Sequence, residues 1–371
     1  MTNNKRLCFF LPSFRTGGSE KIFIELSNFL VKNKNFDITF LCVNASGKLG
    51  ILLDKNITLI NLDCNSVSSS IFLLIKYLKN KKPDLVISSM THCNVILLLS
   101  KLISFSKTKI ILRECSALDD LYPLDIRHPK NSLIRVMAYF LYNKADFIVS
   151  NSIDLAKDIS YKFKINRIKV IYNGYELNNI EKLSSENPNC KIFKNNKVII
   201  TVARLSDQKG LDILIKAFQI VRKELKCKLI ILGEGVLKEK LINLSKKLKI
   251  KNDVHFLGFK YNPYSYMRRS DLFVLSSPTE GLPGSLIQAL ALRMNIISTN
   301  CNFGPREILK DGKLGKLVPI NNEKILAQEI LISLKGTYKK PNRKDLDLER
   351  FDMKIAADKY ISLIEKVIIS R

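Results

Sequence analysis

Three charged residues stand out by where they fall. Arg204 and Lys209 bracket a short loop, RLSDQKG, between the apolar run KVIITVA and the helical stretch ILIKAFQIV. A guanidinium and an ammonium beside the free amides of a helix start suit a diphosphate, which carries two or more negative charges. Glu280 follows another apolar run, DLFVLS, inside SSPTEGLPGSLIQAL. Gly281, Pro283 and Gly284 shape a turn there, and the N–H groups of Gly284, Ser285 and Leu286 open a helix to an anion. A carboxylate next to such a helix start repels a phosphate unless it meets a different part of the ligand. An ionised acid only accepts hydrogen bonds, and each sugar hydroxyl donates one. The combination points to one ligand carrying both a diphosphate and a polyol, that is, a nucleotide sugar. Plainer alternatives stand beside it: a solvated basic loop for the cations, and a helix-start acid for Glu280, where Thr279 or Ser285 could cap equally well.

Such loops need strands to end where they begin. Short, mostly continuous apolar runs alternate with helical patterns. In the first half they are LCFFL (7–11), DITFLCV (37–43), DLVISS (84–89), KIILR (109–113), FIVS (147–150) and IKVIY (168–172). In the second they are KVIITVA (197–203), KLIILG (228–233), DVHFLG (253–258), DLFVLS (271–276), NIIST (295–299) and GKLVP (315–319). Continuous apolarity marks parallel strands covered by helices on both faces, and repeated strand–helix units build doubly wound sheets. The number of strands calls for two Rossmann-like α/β domains. The polar stretch 173–197, with Pro188, reads as the linker. The expected division is therefore 1–180 and 181–350, with the helical segment 351–371 packing back on the first domain. Ligands of open α/β sheets bind where strands end and helices begin, and two facing sheets would leave a cleft for them. Gly17-Gly18, after the first strand and before a helix, would let a ligand approach the backbone. That loop matches neither a dinucleotide fingerprint nor a Walker A loop.

Composition bounds the rest. The chain has 371 residues, 46% hydrophobic and 26% charged, which suits two globular domains. No apolar run approaches the ~20 residues of a membrane span. Residues Met1 to Arg6 lead almost directly into a strand without the pattern of a secretory signal, so a cytosolic protein is expected. The eight cysteines are scattered without C-x-x-C spacing, which favours reduced structural thiols over metal or disulfide sites. The net charge of +27 comes mostly from lysine, which accompanies abundant Asn and Ile. An A+T-rich genome produces those three residues by codon bias, so only part of the charge bears on partners. That part suits nucleic acid, an anionic membrane or a polyphosphate. The segment DIRHPKNSLIRVMAYFLYNK (125–144) mixes Arg127, Lys130, Arg135 and Lys144 with Leu133, Met137, Tyr139, Phe140 and Tyr142. It is either an ordinary helix with a solvated face or one that lies on an anionic membrane. His128 in a polar loop, His255 inside a strand and Asp271 at a strand start look structural.

With TGGSE near the start, R-x4-K-G, LGEGVLKEKL, FLGF, EGLPGSLIQALA and GPREIL in order, nearly the whole chain resembles the retaining glycosyltransferases of family 4, with GT-B architecture. The resemblance implies that Gly17 and Gly18 meet donor phosphates, that Arg204 and Lys209 hold the diphosphate, and that Glu280 binds hydroxyls of the transferred sugar. Gly284, Ser285 and Leu286 would contact phosphate and sugar, and Gly258 would lie near the base. The family's second acid, eight residues after the first and bonded to the ribose, is here Gln288, which implies an altered donor grip. His92, after strand 84–89, matches a histidine placed beside the sugar. Glu114, after strand 109–113, resembles an acid of the acceptor region.

Together these imply transfer of an N-acetylhexosamine or hexose from a nucleotide-diphosphate donor, with UDP favoured, with retention and without a metal or other cofactor. The acceptor would be a glycan or an undecaprenyl-linked glycan, met at the inner face of the cytoplasmic membrane by a peripheral protein. A basic nucleic-acid-binding protein is the alternative from another class, but it lacks any recognition-helix, zinc-finger or RNA-binding signature. A nucleotide-sugar epimerase of the same architecture is the alternative within enzymes.

Overall fold

A computed structural model describes residues 4–15, 17–32, 36–118, 129–336 and 342–369. The chain forms two compact units, Met1–Tyr175 with Arg350–Arg371, and Glu176–Glu349.

The first unit is a seven-stranded sheet of β1 (Lys5–Ser13), β2 (Phe36–Asn44), β3 (Thr58–Asn61), β4 (Leu85–Ser89), β5 (Lys109–Glu114), β6 (Phe147–Ser150) and β7 (Ile168–Val170). The order is β3-β2-β1-β4-β5-β6-β7 and every pairing is parallel. Its helices are α1 (Gly18–Leu30), α2 (Ile71–Lys81), α3 (Thr91–Ser104), α4 (Pro129–Leu141) and α5 (Ile153–Phe163). The chain leaves β1 towards β2 and returns to its other side at β4. That reversal is the switch point where ligands of such sheets bind.

The second unit repeats the plan with β8 (Lys197–Val202), β9 (Cys227–Leu232), β10 (Val254–Gly258), β11 (Leu272–Leu275), β12 (Asn295–Thr299) and β13 (Lys316–Val318), in the order β10-β9-β8-β11-β12-β13. Its helices are α6 (Leu177–Ser184), α7 (Leu211–Glu224), α8 (Lys238–Lys247), α9 (Tyr264–Arg268), α10 (Gly284–Ala291), α11 (Pro305–Ile308) and α12 (Glu323–Leu334). Here the reversal lies between β8 and β11. On α7, Leu211, Leu214, Ile215, Phe218 and Val221 are buried at helical spacing and seal one face of the sheet with α12. Truncating Phe218 to Ala removes about 3–5 kcal/mol of stability.

Three aspartates start strands in the same way. Asp84, Asp146 and Asp271 each stand one residue before a strand and accept an N–H of the neighbouring strand, from Arg6 (2.7 Å), Ile110 (2.8 Å) and Val198 (2.8 Å). Asp271 is thus a structural residue, as its position suggested. All eight cysteines are free. Among the described residues no helix is long and apolar enough to cross a membrane.

Two elements differ from expectation. The edge strand β3 has only Ile60 even half-buried, so it lacks an apolar run to announce it. The stretch 173–197 is not a free linker, because it carries α6, which packs against α9 and α10. Asn262 Nδ2 donates to Leu183 O at 2.9 Å and Arg269 Nη1 to Glu186 O at 2.7 Å, tying the polar stretch to the second unit. The division accordingly falls after Tyr175 rather than after residue 180. Tyr175 N–H donates to Phe351 O at 2.8 Å, where the chain re-enters the first unit, and the C-terminal helix (Met353–Ile369) packs on α1.

Candidate active site

The second unit builds its site at the switch between β8 and β11. After β8 the chain runs through Arg204 into a 3-10 turn, Asp207–Lys209, and then Gly210 starts α7. After β11, Ser276 and Ser277 are buried and lead to Glu280. Lys209 Nζ lies 2.6 Å from Glu280 Oε1, with side-chain exposures of 20% and 8%. Ser277 Oγ donates to the same Oε1 at 2.6 Å. One carboxylate oxygen therefore takes two donors within a largely dry setting.

The surrounding loops are locked. Ser276 Oγ donates to Lys209 O at 2.9 Å, and Thr299 Oγ1 donates to Ser277 O at 2.5 Å. Gly210 has φ +54°, and a Cβ there would stand 2.3 Å from Ser276 O, so only glycine lets the two loops meet. On the other side, Leu205 N–H donates to Glu234 O at 2.9 Å and Gly233 N–H to Gly258 O at 2.9 Å. The ends of β8, β9, β10, β11 and β12 are thus tied to one another around the switch point.

The remaining candidates of this unit fall around that switch point. The Arg204 side chain is exposed, with no hydrogen-bond or ion-pair partner among the described residues. Gly258, at φ +71°, ends the edge strand β10. Gly284 and Ser285 are half-buried at the start of α10, and their N–H groups have no backbone partner there. Leu286 departs from expectation: its N–H donates to Pro283 O at 3.1 Å and its side chain is buried, so its amide is already committed. Gln288 lies one turn beyond Gly284 on the same helical face, half-buried.

In the first unit the candidates also fall at strand ends. A Cβ on Gly17 would meet the Glu20 carboxylate at 1.9 Å, whereas Gly18 faces open space. Thr16 of the same motif lies outside the described residues, as do Arg127 and His128. His92 stands in the first turn of α3, half-buried, and burial holds its imidazole below the usual histidine range. Glu114 ends β5 with 1% exposure rather than facing solvent. Tyr142, Asn94 (2.7 Å) and Thr91 (3.1 Å) all donate to its carboxylate. Burial pushes that carboxyl up to about 7, against the pull of those bonds and of the Arg113 charge.

Residues 16–179 match the family model Glycosyltransferase Family 4, and residues 185–346 match Glycosyl transferases group 1. The N-acetylgalactosamine-N,N'-diacetylbacillosaminyl-diphospho-undecaprenol 4-alpha-N-acetylgalactosaminyltransferase of Campylobacter jejuni is 30% identical over 374 residues, covering 95% of this chain and 98% of that one. The chain belongs to glycosyltransferase family 4. An uncharacterized glycosyltransferase of Methanocaldococcus jannaschii is 38% identical over 250 residues, 64% of this chain and 61% of that one. Anabaena HepE, solved in complex with UDP-glucose, superposes with a TM-score of 0.77 at 18% identity, over 97% of this chain and 99% of that one. This family 4 glycosyltransferase has the GT-B fold.

Several residues that hold the candidate acids escaped the sequence. Ser277 and Thr299 hold Glu280's loop, and Thr91, Asn94 and Tyr142 hold Glu114. The hydroxyls of Ser276-Ser277 beside an acid were the available signal for the first group. For the second there was none, since its members lie 20 to 28 residues from Glu114 in sequence.

Proposed function

We propose that the enzyme transfers a hexose or N-acetylhexosamine from a UDP-sugar to a glycan or lipid-linked glycan acceptor, with retention of anomeric configuration. The observation that carries this reading is the Lys209–Glu280 pair at the second unit's switch point. In a nucleotide sugar, the phosphate and the sugar ring meet at the anomeric carbon. A cation and an acid 2.6 Å apart suit the two sides of that one linkage. Lys209 leaves Glu280 to neutralise the phosphate, Arg204 adds a second cation, and the Gly284 and Ser285 amides receive phosphate oxygen. Glu280 then accepts from sugar hydroxyls. The glycosidic C–O bond to phosphate breaks, and the acceptor oxygen bonds to the same face of the anomeric carbon. The acceptor's proton passes to the departing phosphate. The protein supplies placement and charge stabilisation, with His92 and the Gly17-Gly18 turn as the first unit's contributions.

Support for a polyprenyl-linked acceptor comes from the Campylobacter relative's own substrate. Support for an anionic membrane comes from the first unit's surface. Among the described residues, every exposed large hydrophobic except Val236, Tyr261 and Ile320 lies there. Phe72 and Leu73 on α2, Leu102 and Ile103 on α3, and Leu133, Val136, Tyr139 and Phe140 on α4 are among them, and α3 packs against both other helices. Tyr142, by contrast, is buried. Lys79, Lys81, Lys82 and Lys130 are exposed in or next to these helices, which supports a reading at the anionic cytoplasmic leaflet.

The test is a panel of UDP-sugars followed by UDP release, with and without a polyprenyl-diphosphate glycan, and NMR of the product's anomeric centre. Acceptor-dependent UDP release with an α-linked product from an α-linked donor is the expected result. Acceptor-independent turnover would favour epimerisation, and an inverted product would overturn retention. Activity is expected to survive EDTA, since Arg204 and Lys209 carry the charge; complete loss would contradict that assignment.

A further inference from the structure

Glu114 is a fully enclosed carboxylate that the transfer reaction does not use directly. Its three donors come from two places: Thr91 and Asn94 from the first turn of α3, and Tyr142 from the turn that follows α4. Thr91, Asn94 and Tyr142 are themselves buried. The residue just before α3, Met90, has φ +79° and ψ 132°, outside the regions open to an L side chain. Such strain persists only where the surroundings over-determine it, and it concentrates at functional sites. His92 lies between the two residues of α3 that bond the carboxylate.

We infer that Glu114 is a positioning residue: through Thr91 and Asn94 its carboxylate holds the first turn of α3 against the strained Met90 and so fixes the stance of His92. The inference rests on the reading of His92 as a contributor to transfer. The ionised carboxylate accepts from all three donors at once. Once protonated it donates through one oxygen, so the Thr91 or Tyr142 hydroxyl there must turn to accept, or give way. The titratable and charged groups that feel it are Tyr142, Cys93 on α3, and Arg113 and Cys115 beside it in sequence. Its carboxyl titrates at about 7, so the exchange falls within an accessible pH range.

The chain has three histidines, His92, His128 and His255, so the imidazole resonance of His92 is assignable by its loss in H92A. In the full-length enzyme that resonance should show an inflection near pH 7 in addition to its own titration at lower pH. E114Q keeps the shape of the side chain and should abolish the inflection, while T91V should shift the resonance without changing any charge. An inflection that survives E114Q, or a resonance indifferent to both variants, overturns the inference. Kinetics then separate it from the reading beneath it. E114Q should lower kcat up to about tenfold in the parent enzyme and have no further effect in H92A, the non-additivity of residues acting through one another. If E114Q slows H92A just as much, Glu114 does not act through His92. If the inflection behaves as stated but H92A turns over normally, the positioning stands and His92 is not part of transfer.

Discussion

The two sheets carry their buried acids differently. In the second unit, Glu280 meets a cation and a hydroxyl, and the pair keeps an edge to solvent, 20% on the lysine and 8% on the acid. In the first, Glu114 meets three neutral donors and is sealed. An ion pair that water can still reach exchanges partners cheaply, because the cation can be handed to a ligand anion and the acid to ligand hydroxyls. A carboxylate enclosed by neutral donors has no such exchange open to it, and its burial shows as a raised pKa instead. Position at a strand end is therefore not enough to mark a residue as ligand-binding. What its partners are, and whether they can leave, decides.

The largest effect should come from breaking the pair. Lys209→Ala removes charge support for the departing phosphate, and the expected loss is about 2.7–4 kcal/mol in kcat/KM, two to three decades. Arg204→Ala should cost rate similarly, yet change stability within about 0.5 kcal/mol, because the side chain is exposed and unpaired. K209A also leaves Glu280 with Ser277 alone, at a stability cost of about 1–3 kcal/mol. Adding E280Q should recover that stability without recovering activity. Steady-state UDP release and thermal melts read both quantities. Equal recovery of both would mean that the pair is scaffold.

Much of this contrast was invisible in sequence for a definite reason. Buried parallel strands such as Leu272–Leu275 are apolar throughout, so they could be read directly. The exposed edge strand β3 and the short helix α6, which buries only Ile180 and Ser184, carry too little apolar signal to separate them from loop. Arg204, Lys209 and Glu280 were legible because turn glycines and charge coincide with strand ends. Their pairing was not, since 71 residues separate Lys209 from Glu280 and nothing local records that the acid holds the lysine. For Glu114 the local sequence is misleading. Its place at the end of β5 matches that of an acid meeting a ligand, and only packing by α3 and Tyr142 shows that it is enclosed.

The first unit's acid should reveal itself by its pH dependence. Its folded pKa of about 7 lies above the ordinary 4.5, so the folded state holds the proton more tightly than the unfolded chain does. The stabilising contribution is complete below about pH 4.5 and is lost as the pH rises through about 7. The amide of E114Q has no proton to lose. E114Q should therefore equal the parent near pH 5 and exceed it at pH 8, with a ceiling of about 3 kcal/mol at 1.36 kcal/mol per unit. Thermal melts at the two pH values check the sign. A parent that gains stability over E114Q as the pH rises would show that the three donors more than offset burial.

The smallest effect tests what an accessible position can absorb. Gln288 stands where the family places a second acid, one turn along α10 from Gly284 and half-buried. An amide presents one acceptor oxygen and two donors, whereas a carboxylate presents two acceptor oxygens and no donor. Both can bond a ribose hydroxyl, so Q288E should change donor KM by only about three- to tenfold, the value of roughly one hydrogen bond. The change should be a decrease, because a carboxylate accepts from both ribose hydroxyls at once. The like charge of Glu280, in the loop before α10, works against it and should pare the gain at low ionic strength. A decrease in KM that grows with salt, at constant kcat, would place Gln288 on the ribose. A fall in kcat with KM unmoved would place it on the reacting sugar instead, beside Glu280.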